Sequence, residues 1–177
     1  MRLDAEHSLA ALLERLAEPS PAPGGGSAAA WCAALAAALL EMTAALSHAD
    51  EVATRASSLR ARLLEAGEAE LRAYAPVLLA SSPGPRDQAL SDASEPPLAI
   101  ARAATEVAEL GVTVAGRSGS AVRGDAVAGV LLAEAATRAA AQLVEINLSD
   151  RSDDLRRAEV ADLSARAARA RAEAMAR

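Results

Sequence analysis

Pro21-Ala22-Pro23-Gly24-Gly25-Gly26-Ser27 leads directly into the apolar stretch Ala28–Leu40, and the reading of this join decides the fold. Three successive glycines remove every side chain over one bend, Ser27 is placed to cap the first free amides, and the alanine-rich residues that follow have high helix propensity. A buried helix that starts on bare backbone offers unpaired N–H groups and the positive end of its dipole, which together attract anions. The structural alternative is that the glycines serve a tight turn and close helix packing. No strand precedes them, so a dinucleotide-binding fold is not a competitor.

Working outward, the composition is helical. The chain has 177 residues, abundant alanine, no phenylalanine, one tryptophan and one tyrosine, so aromatic strand formers are scarce. That length predicts a single domain spanning 1–177 with a real core. A net charge of −6 with interspersed arginines lacks the basic patch of a nucleic-acid binder. The absence of lysine excludes a Walker-type phosphate loop and Schiff-base chemistry. Cys32, the single cysteine, reads as a small buried apolar residue, and the two histidines lack partners at ligand spacing, so no metal site is expected. Residues Met1 to Glu6 carry no apolar signal core, and a cytoplasmic location is expected. Ala28–Leu46 has nearly the length of a membrane span, but Glu41 interrupts it and alanine contributes little to insertion, so it reads as the central helix of a bundle and no membrane association is expected.

Helical periodicity organises the rest. Leu9, Leu12, Leu13 and Leu16 predict a first helix over residues 4–17, ended by Pro19, Pro21 and Pro23. A second runs from Ser27 to Leu46, with His48 ending it, and a third from Asp50 to Leu79 with a kink at Pro76. Ser81-Ser82-Pro83-Gly84-Pro85 is a loop by its turn residues. A fourth helix spans residues 86–115 with a bend at Pro96-Pro97, and a fifth spans 121–148 with Glu134 and Arg138 as an i,i+4 pair. The last, from Asp153, is rich in arginine and glutamate and reads as an outer or partner-facing helix. The fold class is all-α, an up-and-down bundle of five or six helices. Helices lined with alanine provide little bulk for one core, so pairing with a second copy is expected.

Six side chains stand out as candidates for chemistry or for a partner. Glu70 has Ala66, Gly67, Ala73 and Tyr74 at helical spacing, so its carboxylate emerges from a small apolar face. Such a group must find a partner or shift its pKa upward, and either suits a general acid or base; the alternative is a structural bond to Tyr74 or an arginine. Asp125, with Ala121, Val122, Ala128 and Gly129 around it, has a similar setting, although an acid in a first helical turn also serves the dipole. Asn147 offers an amide to a heterocycle edge or simply terminates its helix. Arg117 and Arg123 flank a Gly/Ser loop and either clamp a carboxylate or lie in solvent. Glu41, a lone acid among alanines, calls for an arginine across a subunit contact.

The glycine segment also resembles that of the formiminotetrahydrofolate cyclodeaminase / methenyltetrahydrofolate cyclohydrolase family of small helical folate enzymes. Gly124-Asp125-Ala126-Val127-Ala128 followed by Leu131–Ala136, and Val144-Glu145-Ile146-Asn147-Leu148, fit the same pattern, as does Glu70 four residues before Tyr74. The matches run from Pro21 to Leu148. The resemblance implies a helical homodimer with folate in a cleft. It implies action on the one-carbon unit between N5 and N10, with Glu70 and Asp125 as acid/base groups, and substrate contacts from Gly24, Gly25, Gly26, Ser27, Tyr74, Arg123 and Asn147. The substrate is a tetrahydrofolate derivative, and no metal or redox cofactor is implied.

The chain departs from the family pattern in three places. Ser118-Gly119-Ser120-Ala121 stands where an asparagine-rich turn is usual, Leu143 replaces an asparagine, and Glu70 stands where aspartate is commoner. These changes remove polar groups from the implied cleft. Alternatives to an active enzyme are a binding module that kept the pocket and lost turnover, and a structural helical dimer whose glycines serve packing.

Overall fold

The computed structural model describes residues 9–20 and 22–176, apart from the side chain of Ser120. The expected helix start at Asp4, His7, and Pro21 of the glycine segment lie outside the described residues. The fold is all-α: among the described residues there are five long helices and three short ones and no strand. They are α1 (Leu9–Ala17), α2 (Gly25–Leu46), α3 (Asp50–Ala73), α4 (Ala75–Leu79), α5 (Pro83–Asp92), α6 (Glu95–Arg117), α7 (Ser120–Asn147) and α8 (Leu155–Ala176).

Differences from the sequence expectations fall at prolines. The third helix breaks at Tyr74, because Pro76 lacks the amide that would bond back to residue 72 and its ring crowds that carbonyl. The fourth is two helices rather than one bent helix. Pro83 and the Pro96-Pro97 pair each occupy a first turn, where a missing amide costs nothing, so α5 begins inside the segment expected as a loop and α6 starts afresh at Glu95. At the other end of α2, Ser47 caps the helix and His48 takes the left-handed conformation, φ 54°. Ala49 N–H reaches Ala44 O at 2.9 Å and His48 N–H reaches Ala45 O at 3.1 Å, the bond pair of a Schellman ending.

The long helices alternate in direction. Pairs of cross-helix contacts fix this: between α2 and α7 Cys32 Sγ lies 3.5 Å from Leu132 O while Gly25 faces Leu143, and between α2 and α3 Arg60 Nε lies 2.9 Å from Glu41 Oε2 while Gly26 faces Glu70. Glu41 therefore pairs within the chain rather than across a subunit contact. Thr105 and Thr137 Oγ1 atoms meet at 3.5 Å between α6 and α7, each also bonded back to its own helix carbonyl. Along α6, Glu95, Arg102 and Glu109 pair with Arg156, Glu159 and Arg166 of α8 in the same order, so these two helices run parallel. Arg156 and Arg166 of α8 are thus paired with α6 and Arg157 with Glu145 of α7, while Val160, Leu163, Ala167, Ala170 and Ala174 are the buried residues of the helix.

The centre of the core is Leu40 of α2. It is fully buried and packs over Gly111 of α6 and Gly129 of α7, where any added Cβ would crowd it. Small residues at these positions let three backbones approach closely enough to enclose one leucine, which is how an alanine-rich chain fills its interior. The α2 and α7 helices are each long and apolar enough to cross a membrane, and in this bundle half of each apolar window is buried against other helices.

The alternation gathers the starts of α2, α6 and α8 with the ends of α3 and α7 at one end of the bundle. The end of α2, the start of α3, the end of α6, the start of α7 and the end of α8 gather at the other.

Candidate functional site

The glycine segment and the end of α3 meet at the first of these ends. Gly24, in extended backbone, is the N-cap of α2, and Ala28 N–H bonds to its carbonyl at 3.0 Å. Ser27 therefore does not cap; it lies inside the first turn, fully buried. Among the described residues no glycine has a positive φ, so the three glycines are not required for a left-handed turn. Gly26 is required for space. A Cβ there would overlap Cγ, Cδ and Oε1 of Glu70, so the carboxyl group lies directly over the bare first turn of α2. One turn deeper, Gly67 of α3 faces Ala30, whose Cβ lies 3.1 Å from where a Cβ would be, and the indole of Trp31 at ordinary contact distance.

Around this contact opens a cleft of about 260 Å³. Gly24, Gly25, Gly26, Ser27, Glu70, Tyr74 and Asn147 all line it, joined by Ala22, Leu143 and Ile146. Asn147 donates its Nδ2 to Ala93 O at 3.1 Å, which fixes the amide and leaves its oxygen as the remaining polar atom. Tyr74 is at the break between α3 and α4 and is partly exposed. Leu143 and Ile146, one turn apart on α7, make one wall apolar.

Burial pushes the Glu70 carboxyl above its ordinary value of 4.5. Its Oε2, the Ser27 hydroxyl and Trp31 Nε1 are buried without a hydrogen-bond partner. A carboxyl whose pKa burial raises, set in a cleft with unpaired donors nearby, is suited to taking up and returning a proton. The positive end of α2 faces this carboxyl and favours its charged form, an effect that burial outweighs.

Asp125 and Arg123 are elsewhere. Both lie near the start of α7, about 33 Å along the helix from Asn147 at 1.5 Å per residue. Asp125 is exposed. Arg123 is half-buried and donates Nη2 to Ala174 O at 3.1 Å, where its charge caps the end of α8. Arg117, which the sequence pairs with Arg123 as a clamp, lines a surface hollow with His48 and Asp50 at the same far end. Within one chain the two candidate acids do not face one cavity. The reason is geometric: the separation of Asp125 from Asn147 is the length of the bundle.

Trp31 carries no role in the sequence, and Gly67 figures there only as a small neighbour of Glu70. Their signal was available as spacing: Trp31 follows Ser27 by one turn, and Gly67 precedes Glu70 by one turn. Among the described residues, no group of three or more His, Cys, Asp or Glu side chains is arranged to hold a metal ion. A larger groove of about 440 Å³ between α6 and α8 holds Glu109 and Arg166 bonded to each other at 2.9 Å, with Arg169 and Glu173 beside them, so acids and bases are present there in equal number.

Comparison with known proteins bears on the family and the fold. The family profile described as formiminotransferase-cyclodeaminase matches residues 8–166. Among solved structures, the chain is similar to formiminotetrahydrofolate cyclodeaminase from Thermotoga maritima, with a TM-score of 0.86 and 22% identity over 96% of this chain and 94% of that one. A search of curated protein sequences finds no match.

Proposed function

Because the chain belongs to the formiminotransferase-cyclodeaminase family, we propose that it is a folate-dependent one-carbon enzyme whose cleft between Gly26 and Glu70 acts on the carbon bridging N5 and N10 of tetrahydrofolate. The observation that carries this reading is the Glu70 carboxyl, buried over the start of α2, with its pKa raised, in a cleft with one apolar wall. In the cyclohydrolase direction, water adds to the cationic amidinium carbon of 5,10-methenyltetrahydrofolate. A proton leaves the added water, the C–N5 bond breaks with a proton moving to N5, and 10-formyltetrahydrofolate results. In the cyclodeaminase direction, N10 of 5-formiminotetrahydrofolate attacks the formimino carbon, and ammonia departs once protonated. Each route needs one group that takes and returns protons beside a cationic carbon, and Glu70 is that group. Both are acid–base chemistry on the substrate, without a resident cofactor.

At about 260 Å³ the cleft is smaller than the roughly 300–1,000 Å³ usual for drug-sized ligands, so it suits the pterin ring and bridging carbon, with the glutamate tail running out. The Asn147 oxygen and the glycine-turn amides are the polar groups for the ring, and Tyr74 is positioned to cover it.

The protein is proposed to act as a homodimer. Leu35, Met42 and Leu46 of α2 are exposed large apolar side chains, Leu35 and Leu46 to 56% and 60%. Leu131 and Ile146 extend this apolar face onto α7. A twofold axis across the middle of α2 and α7 sets the Asp125 end of one protomer beside the Glu70 cleft of the other, which reconciles both acids with one site. A cytoplasmic location belongs to the same proposal.

The test is ultraviolet monitoring of methenyltetrahydrofolate decay, with ammonia release from 5-formiminotetrahydrofolate as the parallel assay. Acceleration of one reaction that Glu70→Gln lowers by about 10²–10⁴-fold supports the reading. Acceleration of neither overturns it as an enzyme. A folate-induced rise in melting temperature without turnover then identifies a binding module of the same fold.

A further inference from the structure

Three buried polar atoms line the seam between α2 and α3, and none has a partner: Ser27 Oγ, Trp31 Nε1 and Glu70 Oε2. Their placement follows from two glycine contacts one turn apart. At Gly26 the Glu70 side chain fills the space of a missing Cβ, and Ser27 is the next residue of α2. At Gly67, one turn before Glu70 on α3, Trp31 Nε1 lies 3.6 Å from where a Cβ would be, and Trp31 is one turn after Ser27 on α2. Positions one turn apart on a helix are about 5–6 Å apart, close to the span of a donor, a water oxygen and an acceptor. A buried polar atom left unpaired costs about 1–3 kcal/mol, and three together are not left so without a common partner. Buried waters typically make about three hydrogen bonds. A carboxyl oxygen, a hydroxyl and an indole N–H supply that number and both polarities.

We propose that Ser27, Trp31 and Glu70 hold one buried water at the floor of the cleft, and that Trp31 acts through it as a positioning residue for the Glu70 carboxyl. The indole N–H then has no other duty, since Trp31 otherwise lines an apolar hollow with Ala34, Leu64 and the leucines of α1, and Arg60, the charged group of that hollow, is bonded to Glu41 at 2.9 Å. Around Glu70 the titratable surroundings are sparse. Tyr74 shares the cleft, α7 presents Leu143, Ile146 and Asn147 there, and α2 has no charged side chain between Gly25 and Leu40. Cys32, the titratable group of that stretch, faces Leu132 O on the α7 side. On α3 itself, Glu68 and Arg72 are within two residues of Glu70 in sequence and project from other faces of the helix. A change in the charge of Glu70 is therefore felt first at the indole, through the shared water.

Trp31 is the only tryptophan, so its emission reads this contact in the folate-free protein. Titration from about pH 8 to about pH 4 is expected to change Trp31 emission with a midpoint above the ordinary glutamate range, and Glu70→Gln is expected to abolish the change. Ser27→Ala removes one of the water's anchors, which weakens the support for the charged carboxylate and moves the midpoint up by about half a unit to one unit. Trp31→Phe keeps the ring and removes the donor; Glu70, followed by carboxyl carbon NMR against Glu70→Gln, then titrates higher in the same way. A crystal structure should show a water within hydrogen-bond distance of all three atoms. A flat emission profile, a transition that persists in Glu70→Gln, or a seam without that water overturns the proposal. None of these measurements uses folate, so their failure leaves the proposed reaction standing, and failure of the reaction leaves the water site standing.

Discussion

The carboxyl group of Glu70 occupies the volume that a side chain on Gly26 would need. The relationship ties the first turn of α2 to the last turn of α3 and places a buried acid over unpaired amides. Gly26→Ala should therefore expel the carboxyl without unfolding the protein, because the obstructing atoms are the far end of a flexible side chain and alanine gains about 1 kcal/mol of helix propensity over glycine. Gly25→Ala is the control, since a Cβ there meets only Leu143 at 4.0 Å. We expect both variants to melt within a few degrees of the parent, with Glu70 returning toward 4.5 only in Gly26→Ala, as read by carboxyl NMR.

The acids of this chain respond to pH in opposite senses. Burial raises Glu70, so the folded protein holds that proton more tightly than the unfolded chain. Its contribution is fully present below the ordinary value of 4.5 and is lost as pH rises through the folded value. Glu70→Gln should be more stable than the parent at neutral pH and equal to it near pH 4. Asp154 is held down to about 2 from 3.8, chiefly by the Arg156 side chain, whose Nη2 lies 2.7 Å from its Oδ2. Its contribution is present above 3.8 and disappears as pH falls toward about 2, so Asp154→Asn should be less stable than the parent at neutral pH and converge with it in strong acid. Urea melts at a series of pH values check both signs.

His48 carries a left-handed backbone at the end of α2. The conformation costs a residue with a Cβ about 1–2 kcal/mol and costs glycine nothing comparable, while the two closing hydrogen bonds need only backbone. His48→Gly is expected to stabilise the fold by about 1 kcal/mol in chemical denaturation. A loss instead would mean that the imidazole contributes to the end of α2.

The outer apolar face of α2 and α7 should bind a second copy. Light scattering is expected to give twice the chain mass, and Leu35→Glu with Leu131→Glu should give a helical monomer. Because the proposed dimer joins Glu70 of one protomer to Asp125 of the other, mixing Glu70→Gln with Asp125→Asn should restore about a quarter of the parent activity in redistributed dimers. A monomeric parent protein, or no recovery on mixing, refutes that arrangement.

Much of this was legible in the order of residues. The helix of α2, the all-α class and the family resemblance follow from local propensity and from the glycine segment, because helix formation is a matter of neighbours in sequence. Glu70 stood out for the same reason: its small apolar neighbours at helical spacing are themselves local. The breaks at Tyr74 and before Glu95 were half legible, since a proline marks an interruption without saying whether the chain bends or restarts.

What the sequence determined by itself is that these segments are helices and that one acid emerges from an apolar face, since both depend on residues within a few turns of one another. The tertiary structure decided which ends meet. Five long helices of alternating direction put Gly26, Glu70, Tyr74 and Asn147 at one end and Arg123 and Asp125 at the other, although all were candidates in the sequence. It also showed that the glycines provide room for a carboxyl rather than a turn, because that need arises only when α3 packs against α2. Contacts between residues 44 positions apart, such as Gly26 and Glu70, leave no periodic trace along the chain; they exist only where packing brings two helices side by side.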